Sequence, residues 1–215
     1  MINIEKPIAF VLISSNHGTM IINRNDYRMI DKDRGYGVSY ELLSNSSYSQ
    51  QEVNFALALL NKRRANFGAG VIALDCGANV GVHTIEWARF MDGWGEVTAF
   101  VAQEKIYYAL AGNVAINNCL NVTAKNVAVG SQCGSIDIPD IDYFEPSSYG
   151  SFELRKTDHN EFIGQKVNYE KTRSIALVSI DSLALRRLDL IKIDVEGMKI
   201  EVLKGAQVSI EKISA

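Results

Sequence analysis

The chain has 215 residues, room for one domain of ordinary size around a buried core. Apolar residues make up 47% and charged residues 22%, as in globular chains, and 3 prolines and 16 glycines are too few for a collagenous or low-complexity chain. Lys+Arg 22 against Asp+Glu 25 leaves a formal net charge of -3, which argues against a nucleic-acid partner. No apolar run reaches the ~20 residues of a membrane helix, so no membrane role is expected. Residues 1–10, with Glu5, Lys6 and Pro7 ahead of a short apolar stretch, carry no leader pattern. Cys76, Cys119 and Cys133 are odd in number and unpaired in spacing, which favours a reducing, cytoplasmic compartment.

Residues 1–70 read as an N-terminal hairpin and helix lead-in packed on a core formed by residues 71–215. Ile8–Ile13 and Thr19–Ile22 flank Ser14-Ser15-Asn16-His17-Gly18, a hairpin pattern. Asn23–Tyr48 is mostly polar and reads largely as loop. Ser49 and Glu52 have capping-box spacing and open a helix to Phe67, with Val53, Ala56, Leu57, Leu60 and Ala65 as its apolar face. Its run Lys62-Arg63-Arg64 reads as a solvated face.

From Val71 strands and helices alternate. Strands are expected at Val71–Asp75, Val97–Val101 and Val122–Val129, and helices at Val80–Met91 and Lys105–Cys119. This βαβαβ order implies a parallel sheet with right-handed crossovers. Gly130–Thr172 interrupts it with Pro139, Pro146, Gly150 and Gly164, and reads as short strands with a substrate-facing loop. Ser174–Ile180 and Leu188–Val195 read as strands, and Gly197–Ile213 as a helix.

Asp75-Cys76-Gly77-Ala78-Asn79-Val80-Gly81-Val82-His83-Thr84 joins the first of these strands to its helix. Glycines there let the backbone turn tightly beside a ligand, at the strand end where open α/β sheets bind. The G-x-x-x-G spacing departs from the dinucleotide G-x-G-x-x-G, and no Lys-Ser/Thr follows as in a P-loop.

The acidic residue followed by Gly-Ala-Asn-x-Gly resembles motif I of class I S-adenosylmethionine (SAM) methyltransferases. Tyr107–Asn113, Ser148–Phe152, Ile193–Met198 and Glu201–Ala206 extend the likeness. From Val71 to Ala206 the chain resembles the FkbM family of methyltransferases. The resemblance implies an α/β, Rossmann-like class I methyltransferase fold, a mostly parallel sheet with helices on both faces. It also implies SAM as cofactor and O-methylation of a sugar or small-metabolite hydroxyl. On that likeness the cofactor contacts fall on Asp75, Gly77, Ala78, Asn79, Gly81, His83, Thr84 and Gln103.

Two features depart from the family pattern. Val101 stands where a ribose-binding Glu is expected, leaving Gln103 or Glu104 as substitutes, although Glu104 also suits the start of a helix. The chain ends at or just past the helix after Asp194, where the family has further strands; either it is a truncated form, or a partner or second copy is expected to cover the open sheet edge. Together these favour an alternative reading, a methyltransferase fold with weak or no catalysis that acts by binding a partner.

Methyl transfer needs alignment and a base for the hydroxyl proton. Asp194 and Glu196, ending a central strand, are the catalytic candidates; a backbone bond for Asp194 and a helix cap for Glu196 are the alternatives. No third ligand completes a metal site around them. His83 is also a candidate base, although a histidine so placed more often faces solvent or packs beneath the loop. Asp142-Tyr143-Phe144 is a candidate lining of the acceptor pocket. His17 and His159 read as isolated and exposed, Cys76 as a small buried residue, and Trp87 and Trp94 as packing residues.

Overall fold

A computed structural model describes residues 7–213. The leader reading of residues 1–10 therefore falls mostly outside the described residues. The N-terminal part contains an antiparallel hairpin, β1 (Phe10–Ser15) and β2 (Gly18–Asn23). A small ribbon follows, β3 (Arg28–Met29) and β4 (Gly35–Tyr36), then helices α1 (Val38–Asn45) and α2 (Gln50–Phe67). The central part runs β5 (Val71–Cys76), α3 (Val82–Phe90), β6 (Gly95–Phe100), α4 (Glu104–Ile116), β7 (Val122–Lys125). Then come β8 (Ala128–Val129), β9 (Gly134–Pro139), β10 (Thr172–Val178), β11 (Leu190–Ile193), α5 (Lys199–Lys204) and α6 (Gln207–Ile213).

Four parallel strands form the main sheet in the order β11-β5-β6-β7. β5 is buried throughout, as expected of a central parallel strand with both faces covered. Its alternate residues serve two cores. Val71 and Ala73 join the cluster under α2, α3 and α4, whereas Ile72, Leu74 and Cys76 meet Val202 of α5 and Ala206 on the opposite face. Helices thus cover both faces. Burial of the Cys76 thiol in the second core pushes its pKa up to about 12.

β6 lies on one side of β5 and β11 on the other, so the strand order reverses at β5. Such a switch point opens a crevice beyond the carboxyl ends of the strands. The other side of β11 has no strand partner among the described residues.

The hairpin shares the first core through Met20 and Ile22. Two asparagines on or just after α4 dock it. Asn113, fully buried, accepts from Ile21 N–H at 2.5 Å and donates to Ile21 O at 3.0 Å and Val80 O at 2.8 Å. Asn117, one turn on, accepts from Thr19 N–H at 3.2 Å and donates to Thr19 O at 2.7 Å. Their amides satisfy an otherwise open strand edge.

Several expectations change. Asn23–Tyr48 is not loop: it holds β3, β4 and α1, whose two-residue strands are too short to show a period. Buried Asp26 organises this stretch by accepting from Ser39 N–H at 3.0 Å and Tyr149 N–H at 2.9 Å. Ser49 has φ 46°, outside the extended region that an N-cap needs, and makes no capping bond. Ala65 is exposed rather than part of the apolar face of α2. Arg63 does not lie on a solvated face: it donates to the buried carboxylate of Asp189 at 2.9 Å and stacks over Phe67.

The single strand Val122–Val129 splits into β7 and β8, which join different sheets. At the break, the Asn126 amide donates to Val101 O at 2.9 Å and Ala102 O at 3.0 Å. The final helix also breaks, at Gly205, where a β-carbon would lie 2.1 Å from Gly130 O. Asp181 then restarts it as α6, accepting from Val208 and Ser209 N–H. In the inserted segment β9 pairs antiparallel with β10, and a single 3₁₀ turn forms at Tyr149–Ser151. Among the described residues no helix is long and apolar enough to cross a membrane.

Candidate functional site

The glycine loop leaves β5 at the switch point. Gly77 N–H and Ala78 N–H both donate to Phe100 O, at 3.0 and 2.9 Å, which ties the loop to the end of β6. Asp194 N–H donates to Cys76 O at 2.8 Å, tying it to the end of β11. Gly77 has φ 86°, and a β-carbon there would lie 2.0 Å from Asp194 O. Only glycine permits both the positive φ and this backbone contact. Asn79 also has positive φ, 49°, and its side chain accepts from Val80 N–H at 2.8 Å. Gly81, φ 94°, opens α3 and faces Leu110, whose Cδ1 would be 2.6 Å from a β-carbon.

Two adjoining clefts flank this loop and share Gly77, Asn79, Gly150, Asp194 and Glu196 as a common wall. The first, about 600 Å³, is mainly apolar, with Phe100, Val101, Ile106, Val129, Phe152, Leu154 and Met198 on its walls and Gln103 at one side. The second, about 810 Å³, is polar, and is closed by His83, Lys192, Ser148 and Ser151 and by Tyr36, Glu41 and Tyr48 from the N-terminal part. Burial raises the pKa of both Glu41 and Tyr48.

The expected cofactor residues divide. Gly77, Ala78, Asn79, His83 and Gln103 reach the clefts. Asp75 and Thr84 lie beneath the loop and line neither cleft. Both are buried, and Thr84 Oγ1 donates to Asp75 Oδ2 at 2.7 Å. The other Asp75 oxygen faces Lys192 Nζ at 3.4 Å. Gly81 likewise shapes the turn from below, against Leu110.

Lys192 bridges Asp75 and Asp194, with Nζ 3.4 Å from an oxygen of each. Burial opposes its charge, yet the two carboxylates outweigh burial and hold its pKa above the ordinary lysine value. Sequence reasoning missed this residue, because only part of its signal is local. Lys192 and Asp194 are two apart at a strand end, and therefore share a face.

Asp194 and Glu196 are brought to the shared wall, beside Lys199 at 3.9 and 3.5 Å respectively. Val101 is 6% exposed and presents only methyl groups to the apolar cleft. Gln103 donates to Tyr149 O at 2.8 Å and accepts from the Tyr143 hydroxyl at 3.0 Å, leaving one carbonyl lone pair uncommitted. Glu104 starts α4 and is absent from the cleft walls. Hydrogen bonds from Lys105 and Arg173 lower its pKa to about 2.

Asp142-Tyr143-Phe144 lines neither cleft. Tyr143 packs on Tyr149 and holds Gln103, and Phe144 is exposed. Tyr149–Phe152 of the inserted segment reach the walls instead. His17 is fully buried, not exposed: its Nδ1 meets Glu86 at 2.9 Å and its Nε2 accepts from Tyr48 N–H at 2.9 Å.

A switch-point crevice, a glycine loop opening a helix, and acidic residues ending the neighbouring strand define a Rossmann-like α/β methyltransferase fold. The chain belongs to the family described as the methyltransferase FkbM domain, whose model matches residues 75–215. It is 26% identical over 166 residues to "Methyltransferase sdnD" of Sordaria araneosa, covering 66% of this chain and 62% of that protein. The chain thus spans less than two thirds of that relative's length.

Among solved structures it is similar to a tRNA (uracil-54, C5)-methyltransferase of Pyrococcus abyssi in complex with S-adenosyl-L-homocysteine. That likeness has 19% identity, a TM-score of 0.34, and coverage of 55% of this chain and 24% of that chain. A SAM-dependent O-methyltransferase of Thermotoga maritima gives 11% identity, a TM-score of 0.32, and coverage of 62% and 66%.

Proposed function

We propose that the protein is a SAM-dependent O-methyltransferase acting on a hydroxyl of a sugar or small metabolite. The backbone contact between Gly77 and Asp194 carries this reading, because it joins the glycine loop and the acidic run into one wall between two clefts. The apolar cleft suits a flat nucleobase, flanked by Phe100, Ile106 and Phe152. Asp194 and Glu196 suit the positive charge of a sulfonium at the boundary. Bound SAM would supply an electrophilic methyl group. The chain's residues would hold it in line with an acceptor in the polar cleft and screen both from water. Asp194 and Glu196 stand on the wall that the two clefts share.

Isothermal titration with SAM and with S-adenosylhomocysteine tests the reading. Saturable one-to-one binding by the folded chain is expected, and no heat at saturating ligand overturns it.

Val101 favours a second reading, a fold that binds a partner with little catalysis. A ribose hydroxyl facing only valine and left unpaired costs on the order of 1–3 kcal/mol. Gln103 has one acceptor position to offset this.

A further inference from the structure

We propose that His83 is the general base that takes the acceptor's hydroxyl proton, a role that rests on the methyltransferase reading above. His83 lies in the first turn of α3, two residues after Gly81, with its ring in the wall of the polar cleft. It is only 6% exposed, and Trp87 holds the ring edge to face at 5.8 Å and 71°.

A comparison with His17 shows what is unusual. His17 is also buried, but both of its ring nitrogens are engaged, one by Glu86 and the other by Tyr48 N–H. The nearest charged partner of His83 Nε2 is Glu52 Oε2 at 3.9 Å, beyond hydrogen-bond distance. Among the described residues His83 forms no side-chain hydrogen bond. A buried ring that opens on a cleft with its lone pair unspent is available to a ligand.

The neighbouring carboxylates are poorer candidates. Asp194 faces Lys192 and Lys199, and Glu196 faces Lys199. Their oxygens are thus already engaged by lysine cations. The groups that face His83 are Glu52 from α2, Asp75 from β5, and Lys192 and Asp194 from the end of β11. Burial dominates and lowers the pKa of the imidazole, against the opposing pull of Asp75. A neutral ring at pH 7 is the form that accepts a proton.

In the step itself, His83 takes the hydroxyl proton while the oxygen's electron pair forms the new bond to the methyl carbon. The carbon–sulfur bond breaks and its pair stays on sulfur, leaving a neutral thioether and an imidazolium that returns its proton to water.

The test has three readouts on the full chain. Nitrogen-15 histidine spectra resolve three rings. The signal lost in His83→Gln is expected to titrate below the ordinary imidazole value of 6.5. A His83 ring protonated at pH 7 overturns the proposal even if no acceptor is found. His83 lines the polar cleft and not the apolar cleft assigned to the nucleobase, so its expected place among the cofactor contacts is revised. S-adenosylhomocysteine affinity is expected to stay within about twofold in His83→Gln and His83→Asn, and a large loss assigns His83 to cofactor binding and overturns the proposal. Tritiated methyl transfer from SAM is measured with D-glucose and catechol as probes. Both variants are expected to lose about 10²–10⁴-fold in rate together with the acidic limb of the pH profile. A variant that keeps the rate or the limb overturns the proposal. Failure of the wild type to bind S-adenosylhomocysteine instead defeats the methyltransferase reading on which it rests.

Discussion

Gly77 and Asp194 meet backbone to backbone, so closely that a β-carbon added to the glycine would stand only 2.0 Å from the aspartate carbonyl oxygen. Two segments more than 100 residues apart in sequence thereby become one wall. The wall separates an apolar cleft from a polar one, and the proposed chemistry depends on its position.

Gly77→Ala is therefore expected to strain the loop and push β11 away from β5. Positive φ and a backbone clash together cost about 2–4 kcal/mol. Gly93→Ala is the control, because it has a similar φ of 75° but nothing within 4 Å of the added carbon. Its cost is about 1–2 kcal/mol. Urea unfolding of both variants measures the difference, and equal losses refute the contact.

Lys192→Met leaves buried Asp75 without its cation. Breaking a buried pair from one side costs about 3–5 kcal/mol. Adding Asp75→Asn is expected to recover part of that loss, because the unpaired charge is then gone. The pH dependence has a definite sign. The Lys192 pKa is raised in the fold, so its contribution is complete below the ordinary value of 10.5 and is lost as pH rises through the higher folded value. Denaturation curves across the alkaline range should show this limb in the wild type and not in Lys192→Met.

Glu104 gives the opposite limb. Its pKa falls from 4.5 to about 2 in the fold. Its contribution is present above 4.5 and is lost as pH falls toward 2. The stability gap between wild type and Glu104→Gln should close over that acidic interval. The gap is small throughout, because the carboxylate and its partners face solvent. A gap that persists at pH 2 excludes the ionised carboxylate as its source.

Val101→Glu tests the ribose position. The variant is expected to bind SAM about tenfold more tightly, the worth of one buried hydroxyl pairing. The ligand-free variant should lose about 1–3 kcal/mol of stability from burying a carboxyl group. Titration calorimetry and thermal unfolding check the two halves. Unchanged affinity means that the ribose hydroxyls are held elsewhere, with Gln103 a polar side chain of the same cleft.

Much of the scaffold is legible in the sequence. Val71–Cys76 is a short, mainly apolar run between turn glycines, which marks a buried strand. Elements that depend on distant partners are not legible. At the break between β7 and β8 Asn126 reaches back to Val101 and Ala102, and at the start of α6 distant Asp181 accepts from Val208 and Ser209 N–H. Ser49 and Glu52 have the spacing of a cap without its backbone angle, which spacing cannot reveal. The site shows the same division: Asp194 and Glu196 stand out as acidic residues at a strand end, whereas Lys192 beside them gains its meaning only from buried Asp75 on the next strand.

The sequence by itself determined the βαβαβ order, the placement of the glycine loop between strand and helix, and the resemblance to FkbM methyltransferases. These follow from local patterns of apolar spacing, turn glycines and short motifs. Only the tertiary structure decided which motif residues face a ligand. Asp75 and Thr84 turned inward and satisfied each other, while His83 opened on a cleft and His17 was sealed by Glu86 and Tyr48. The physical reason is that burial and hydrogen-bond partners are set by residues far apart in the chain. Two histidines of the same chemistry therefore received different environments that no local pattern records.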